Sequence, residues 1–223
     1  FPTRRSSDLY KGTALSIPDV ANGNVAMLFD SLASVMPHLP WQPARMSDDL
    51  KTVQLAGADG ITLTADEVGD PSAPPVILLH GGGQNRHAWT TSARRLQSRG
   101  YSVVAYDTRG HGDSDWDPAG RYDVERLATD LLAVRDHFSA NTPPAVVGAS
   151  LGGMTALGAH LLASGASWAA VILVDVTPRL EFEGARRVVT FMAAHPDGFA
   201  TLGDAAEVIA ASNPHRARPE NLD

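Results

Sequence analysis

The sequence predicts an α/β protein built on a mostly parallel sheet with helices on both faces. Three observations carry this prediction. Short apolar runs that do not alternate with polar residues recur at Val76–Leu79, Ser102–Tyr106, Pro143–Val147 and Ala170–Val174, the pattern of strands buried on both faces. Helical patterns fall between these runs, the clearest being Val124, Leu127, Leu131, Val134 and Phe138 on one helix face. Strand and helix alternate along the chain, which calls for parallel strands joined by right-handed crossovers.

The elements follow in order from Met46, a credible natural start. Val53 and Leu55, then Ile61 and Leu63, alternate with polar residues around Asp59-Gly60, and this reads as an antiparallel hairpin. Pro71 to Pro75 forms a linker into the first buried strand, Val76–Leu79. That strand runs straight into His80-Gly81-Gly82-Gly83. A helix over about Ser92 to Ser98 is ended by Gly100, and the next strand leads into Asp107-Thr108-Arg109-Gly110-His111-Gly112-Asp113-Ser114. Beyond Thr177-Pro178 the strands stop. Ala185 to Ala194 and Asp204 to Ala211 read as two helices joined by His195-Pro196-Asp197-Gly198, the start of a helical lid.

The chain is organised around Val146-Val147-Gly148-Ala149-Ser150-Leu151-Gly152-Gly153. It reads as a buried strand, a sharp turn bearing one serine, and a helix over about Leu151 to Ala163. The spacing fits G-x-S-x-G, in which a strained strand-to-helix turn exposes a serine hydroxyl. Gly148 and Gly152 stand where strand and helix nearly touch. The positive end of the following helix would favour negative charge developing at Ser150. A glycine-rich turn with an incidental serine is the alternative. The triple glycine at 81–83 could also read as a phosphate loop, but no Gly-Lys-Ser/Thr follows it.

Composition narrows the function. At 223 residues the chain is long enough for one α/β domain with a sizeable core. Its formal charge of −7 argues against nucleic acid or an anionic membrane as the main partner. It has no cysteine, hence no disulfide framework and no thiolate metal site, and neither a metal nor a cofactor is expected. No apolar run approaches the ~20 residues of a membrane span, and no signal sequence opens the chain, so the expected location is cytoplasmic.

Residues 46–223 resemble the α/β-hydrolase superfamily, in its serine-nucleophile, esterase- and lactonase-like branch. The resemblance rests on four landmarks in order: His80–Gly83, Asp107–Ser114, the Ser150 turn, and Asp175 at the end of the fourth strand. It implies a core at 46–177 and a partial helical cap at 178–223. It also implies Ser150 as nucleophile in cleaving a small carboxylic ester, lactone or related acyl compound. The oxyanion donors would be the backbone N–H of Leu151 and one from the glycine loop, Gly82 or Gly83. His80 is expected to orient the loop rather than carry protons. The 109–114 run is expected to be a supporting turn, with His111 as base the minor alternative. Asp175 is a candidate acid in a minority arrangement; a strand-end turn residue is the other reading. Met192, Phe191 and Phe199 would line an apolar entrance or simply form the lid core.

The resemblance also implies a deficit. In that family the histidine follows the last strand and the acid usually follows the strand before it. The likeness stops within the lid, before both, and none of the eight histidines lies where that base would be. The expectation is an inactive or weakly active fragment lacking the last two strands, with the strand around Ile172 left as an open edge. The alternatives are a non-catalytic ligand-binding protein and a cofactor-free, haloperoxidase-like perhydrolase. The expected partner is a small acyl substrate.

The first 45 residues read as foreign or poorly structured. Phe1 to Leu9 resembles a translated sequencing adapter. Tyr10-Lys11-Gly12-Thr13-Ala14, Asp19-Val20, Gly23-Asn24-Val25 and Leu28-Phe29-Asp30-Ser31-Leu32 resemble a piece of the substrate-binding proteins of tripartite tricarboxylate transporters. A piece this small could not form their two-lobed ligand site, which suggests a chimaeric reading frame. Pro37, Pro40 and Pro43 then break any regular structure.

Overall fold

A computed structural model describes residues 27–29, 50–138, 142–163, 168–177, 182–195 and 198–212. The rest of the first 45 residues, Met46, His38 and His215 lie outside the described residues. The chain divides into two compact units, Phe1–Pro178 and Arg179–Asp223.

The first unit holds a seven-stranded sheet. Its strands are β1 (Met27–Phe29), β2 (Lys51–Ala56), β3 (Thr62–Val68), β4 (Pro75–Leu79), β5 (Ser102–Tyr106), β6 (Ala145–Ala149) and β7 (Ala170–Val174). They lie in the order β1-β7-β6-β4-β5-β3-β2. From β1 to β5 every neighbouring pair is parallel, and β3 and β2 add an antiparallel hairpin at the far edge. The mostly parallel sheet expected from the apolar runs is therefore present. The hairpin turns at a short 3-10 segment, Ala58–Gly60, where Asp59 (φ 57°) and Gly60 (φ 78°) both take left-handed backbone.

The apolar runs of β4 and β5 lack alternation because both sheet faces are covered. Val76, Leu78, Val103 and Ala105 enter one core layer with Ala93 and Leu96 of helix α1 (Thr90–Gln97). Their neighbours Ile77, Leu79, Val104 and Tyr106 enter the other, against α2 (Val124–Phe138) and α3 (Leu151–Leu162). On that second face Ala128 and Leu131 of α2 meet Ala156 and Ala159 of α3. Gly158 allows the close approach, since a Cβ there would lie 3.2 Å from both Ala128 Cβ and Val124 Cγ1.

Buried charge pins the loops to this frame. Arg109 is fully buried; its Nε and Nη2 donate to the two carboxylate oxygens of Asp130 at 2.7 and 2.8 Å, and Nη1 donates to Asp117 at 3.0 Å. Asp130 Oδ1 also accepts from the N–H of Ala58 at 2.8 Å, which ties the hairpin turn to α2. The side-chain hydrogen bonds to Asp130 hold the Arg109 guanidinium above its ordinary pKa.

One expectation is overturned. The strand around Ile172 was expected to be an open edge, but β1 pairs with it in parallel, Met27 opposite Val171, Leu28 opposite Ile172 and Phe29 opposite Leu173. An open parallel edge presents a row of unpaired backbone groups, and an extended apolar segment can pair with it. Among the described residues no strand follows β7.

The second unit contains α4 (Phe182–Ala193) and α5 (Leu202–Ser212). Thr201 caps α5: its hydroxyl accepts from the N–H of Asp204 at 3.1 Å and its carbonyl from the N–H of Ala205. In the turn between the helices the His195 and Phe199 rings lie 4.4 Å apart. Phe191 and Phe199 are partly exposed, as are Val188, Val189 and Leu202.

Two outcomes follow for stability. Asp130→Ala leaves a buried guanidinium half-paired and is expected to cost about 3–5 kcal/mol, measured by urea denaturation. Deleting residues 1–45 uncovers β7, and light scattering is expected to show concentration-dependent association that the full chain lacks.

Candidate active site

The end of β6 delivers Ser150 into a turn that only an unusual backbone can make. Ser150 has φ 46° and ψ −110°, a conformation costly for a residue with a side chain. The glycines around it are required by space. A Cβ on Gly148 would overlap the Gly152 carbonyl, and one on Gly152 would sit 2.6 and 2.7 Å from the carbonyl oxygens of Leu79 and His80. Strand β6, helix α3 and the end of β4 therefore meet backbone to backbone. The N–H of Ser150 donates to the Val174 carbonyl at 2.9 Å, anchoring the turn to β7.

The consequence is an exposed serine at the N-terminus of α3. The N–H of Leu151, in the first helical position, has no intrahelical acceptor. The glycine loop lies alongside: a Cβ on Gly81 would be 3.5 Å from Ser150 Cβ and 3.6 Å from the Ala149 carbonyl oxygen. Ser150, Leu151 and the loop after β4, all singled out by sequence, are thus brought together.

The loop is held by Gln84, which the sequence did not single out, and by His80. Gly81 to Gln84 forms a tight turn in which the N–H of Gln84 donates to the Gly81 carbonyl at 3.1 Å. The Gln84 side-chain oxygen accepts from the N–H of Gly81 at 2.9 Å. Gly83 takes φ +74°, the positive value that the third residue of a type II turn requires. His80 is fully buried; its Nδ1 lies 2.8 Å from the Gly81 carbonyl and its Nε2 accepts from the N–H of Thr108 at 3.1 Å. The proton must then reside on Nδ1, and both ring nitrogens are engaged.

The Gly83 N–H, one of the two expected loop donors, already has a partner, His111 Nε2, to which it donates at 3.2 Å. The His111 Nδ1 lies 3.2 Å from both the Arg109 carbonyl and Thr108 Oγ1. Gly82 is the loop residue whose N–H meets no acceptor among the described residues. The link was not legible because residues 83 and 111 are joined only through the adjacency of β4 and β5.

The 107–114 run is a knitted turn. Asp107 is fully buried and accepts from the N–H of Arg86 at 2.6 Å, from the Arg86 guanidinium and from the N–H of Asp113 at 2.9 Å. Ser114 Oγ donates to the Asp107 carbonyl at 2.6 Å and accepts from the N–H of Thr64 at 2.9 Å. Arg86 also pairs with Asp66 and Asp113 at 3.1 and 2.7 Å. Beside this turn a cavity of about 180 Å³ is bounded by His111, Trp116, Tyr122 and Leu151, the residue after the serine.

Asp175 is exposed, with φ 53°, directly after the Val174 whose carbonyl holds the serine turn. Among the described residues no imidazole is hydrogen-bonded to Ser150 Oγ, and no group of acidic, histidine or cysteine side chains could hold a metal ion. The side chain of Met192 lies outside the described residues.

Burial holds the His80 pKa below its ordinary 6.5, with the His111 charge acting in the same sense and the Gly81 carbonyl and Asp107 opposing. An imidazole kept neutral when folded protonates first in the unfolded chain. Its stabilising contribution is therefore complete above pH 6.5 and is lost as pH falls below it. Urea midpoints of the wild type should drop between pH 7.5 and 5.5 by more than those of His80→Gln.

Residues 74–217 match the alpha/beta hydrolase fold family, a span of more than half the chain. An esterase of Mycobacterium tuberculosis is 43% identical over 107 residues, covering 48% of this chain and 34% of that protein. Epoxide hydrolase A of the same organism is 38% identical over 90 residues, covering 40% of this chain and 28% of that protein. The chain thus spans about a third of the length of these relatives. A solved α/β hydrolase from Novosphingobium aromaticivorans superposes with a TM-score of 0.63 at 27% identity, over 78% of this chain and 61% of that one. No helix among the described residues is long and apolar enough to cross a membrane. With the landmark loops, the serine turn and the sheet order in agreement with this match, the chain belongs to the alpha/beta hydrolase fold family.

Proposed function

We propose that the chain carries the nucleophile half of a serine hydrolase site acting on a small carboxylic ester, lactone or related acyl compound. The observation that carries this is the Ser150 turn: a hydroxyl exposed in strained backbone, at a helix N-terminus, against a glycine loop. Ser150 Oγ attacks the acyl carbonyl carbon, and the carbonyl π electrons move onto oxygen. The N–H groups of Leu151 and Gly82 donate to that oxyanion; each such donor is worth roughly 3 kcal/mol. Collapse expels the alcohol, which takes up the proton that the attacking Ser150 hydroxyl gave up, and leaves the acyl group on Ser150 as an ester. Water then cleaves that ester.

The relatives include both an esterase and an epoxide hydrolase. The elbow residue separates these chemistries, because epoxide hydrolases of this superfamily place an aspartate there. A serine favours acyl transfer. The cavity beside Leu151, with Trp116 and Tyr122 on its wall, offers apolar room for one side of the substrate.

A serine hydroxyl needs a proton acceptor, and none of the described imidazoles is bonded to it. Asp175 adjoins the turn and is the carboxylate proposed to support the site. This favours a second reading, in which the chain binds acyl compounds and turns them over weakly. Catalysis would then be limited to the 10³–10⁴-fold, in order of magnitude, that an oxyanion hole and binding supply alone.

Hydrolysis of p-nitrophenyl acetate is expected at that residual level, and Ser150→Ala is expected to remove it. Turnover unchanged by Ser150→Ala would overturn the assignment of the nucleophile. Efficient turnover lost in Ser150→Ala would keep the nucleophile and reject the weak-activity reading.

A further inference from the structure

The cavity beside the serine turn has two aromatic walls set nearly at right angles. The Trp116 and Tyr122 rings lie 6.5 Å apart with their planes at 80°, and both border the cavity together with Leu127 and Leu151. Each ring stands on fixed backbone. The Tyr122 hydroxyl accepts from the N–H of Asp117 at 2.9 Å. Its ring edge lies against Gly110, where a Cβ would sit 2.7 Å from Tyr122 Cε1. Trp116 is held through its chain neighbours. Asp115 exchanges two hydrogen bonds with Thr62, N–H to carbonyl at 2.9 Å and carboxylate from N–H at 2.8 Å. Asp117 pairs with Arg109 at 3.0 Å and Arg121 at 2.8 Å. Yet the indole itself is 74% exposed.

The polar groups on the cavity wall are already engaged. The Arg109 guanidinium donates to Asp130 and Asp117. His111 Nε2 accepts from the Gly83 N–H, and its Nδ1 lies 3.2 Å from the Arg109 carbonyl and from Thr108 Oγ1. What the cavity offers a ligand is therefore ring faces and aliphatic side chains. Its size suits one six-membered ring, since an apolar cavity of roughly 150 Å³ admits benzene and this one holds about 180 Å³. Aromatic pairs prefer offset-stacked or edge-to-face contact. A flat ring in this corner can stack on one wall while turning its edge to the other. A saturated ring of equal size buries the same area and makes neither contact. Leu151 directly follows Ser150, and adjacent Cα atoms are about 3.8 Å apart, so a ring lodged here is a short spacer away from the attacked carbonyl.

We propose that Trp116 and Tyr122 determine specificity, and that the site takes uncharged esters bearing an aromatic ring on a short spacer. This rests on the reading of Ser150 as the nucleophile. The ring can belong to the acyl group or to the alcohol, and the two sources are separated by experiment.

Binding is measured first, with the full Ser150→Ala chain labelled with ¹⁵N, so that turnover plays no part. Phenylacetamide should shift the Trp116 indole N–H signal at concentrations where cyclohexylacetamide and the phenylacetate anion do not. Turnover by the wild type is then compared within two matched pairs, ethyl phenylacetate against ethyl cyclohexylacetate, and benzyl acetate against cyclohexylmethyl acetate. In at least one pair kcat/KM should favour the aromatic ester roughly three- to tenfold, the range that aromatic pairing supplies. The pair that shows it identifies the side of the ester that enters the cavity. Trp116→Leu should bring that ratio close to one, and Trp116→Phe should keep most of it. An indole signal that ignores phenylacetamide, or answers the saturated ring equally, would overturn the proposal. So would Ser150-dependent turnover with no aromatic preference in either pair, or a ratio that Trp116→Leu leaves intact. Turnover unaffected by Ser150→Ala, with the indole response present, would instead remove the nucleophile and leave the ring pocket standing.

Discussion

The site depends on one close approach. At Gly148 and Gly152 the end of β6, the first turn of α3 and the carbonyls of Leu79 and His80 come together with no room for a Cβ. This contact forces the chain at Ser150 to φ 46° and ψ −110°. An isolated turn would relax out of that conformation, since holding it costs on the order of 1–3 kcal/mol. It persists because both flanking elements are fixed, β6 between β4 and β7 and α3 against α2. The buried core sustains the strain, and the strain exposes the hydroxyl.

A second layer of order surrounds this contact and is almost entirely electrostatic. Arg86 joins Asp66, Asp107 and Asp113; Arg109 joins Asp117 and Asp130. Buried pairs of this kind do not add much stability over apolar packing, but they become costly to break. Here they connect the two segments that follow β4 and β5, through Arg86 in a short 3-10 helix (Arg86–Trp89) and Asp107 and Asp113 in the turn after β5. His80 and His111 extend the same network to the backbone of the glycine loop. The chemistry-bearing loop is thereby held by side chains from its neighbours as well as by its own turn and the Gln84 side chain.

Much of the fold was legible because its signals are local. β5, β7 and α2 occupy the residues that their apolar patterns predicted, β4, β6, α1, α3 and α5 differ by at most two residues at either end, α4 begins three residues early, and β3 runs on to Val68, well past the alternating run. The pairing of β1 with β7 was not legible. Nothing in Met27-Leu28-Phe29 points to a partner 140 or so residues away, and strand pairing depends on which edge is open once the rest has folded. The same reason hid the Gly83–His111 bond, which exists only because β4 and β5 lie side by side.

By itself the sequence determined the alternation of strand and helix, the position of the serine turn and the glycine loop, and the family to which they point. These follow from residue type and short-range spacing: glycine where backbones must touch, uninterrupted apolar runs where both faces are buried. Tertiary structure alone decided which loop N–H groups are free. Gly82 and Gly83 are chemically identical neighbours, and no rule of composition separates them. What separates them is the imidazole of residue 111, brought across from the adjacent strand, because a peptide flanked by two glycines takes its direction from whatever acceptor the fold places beside it.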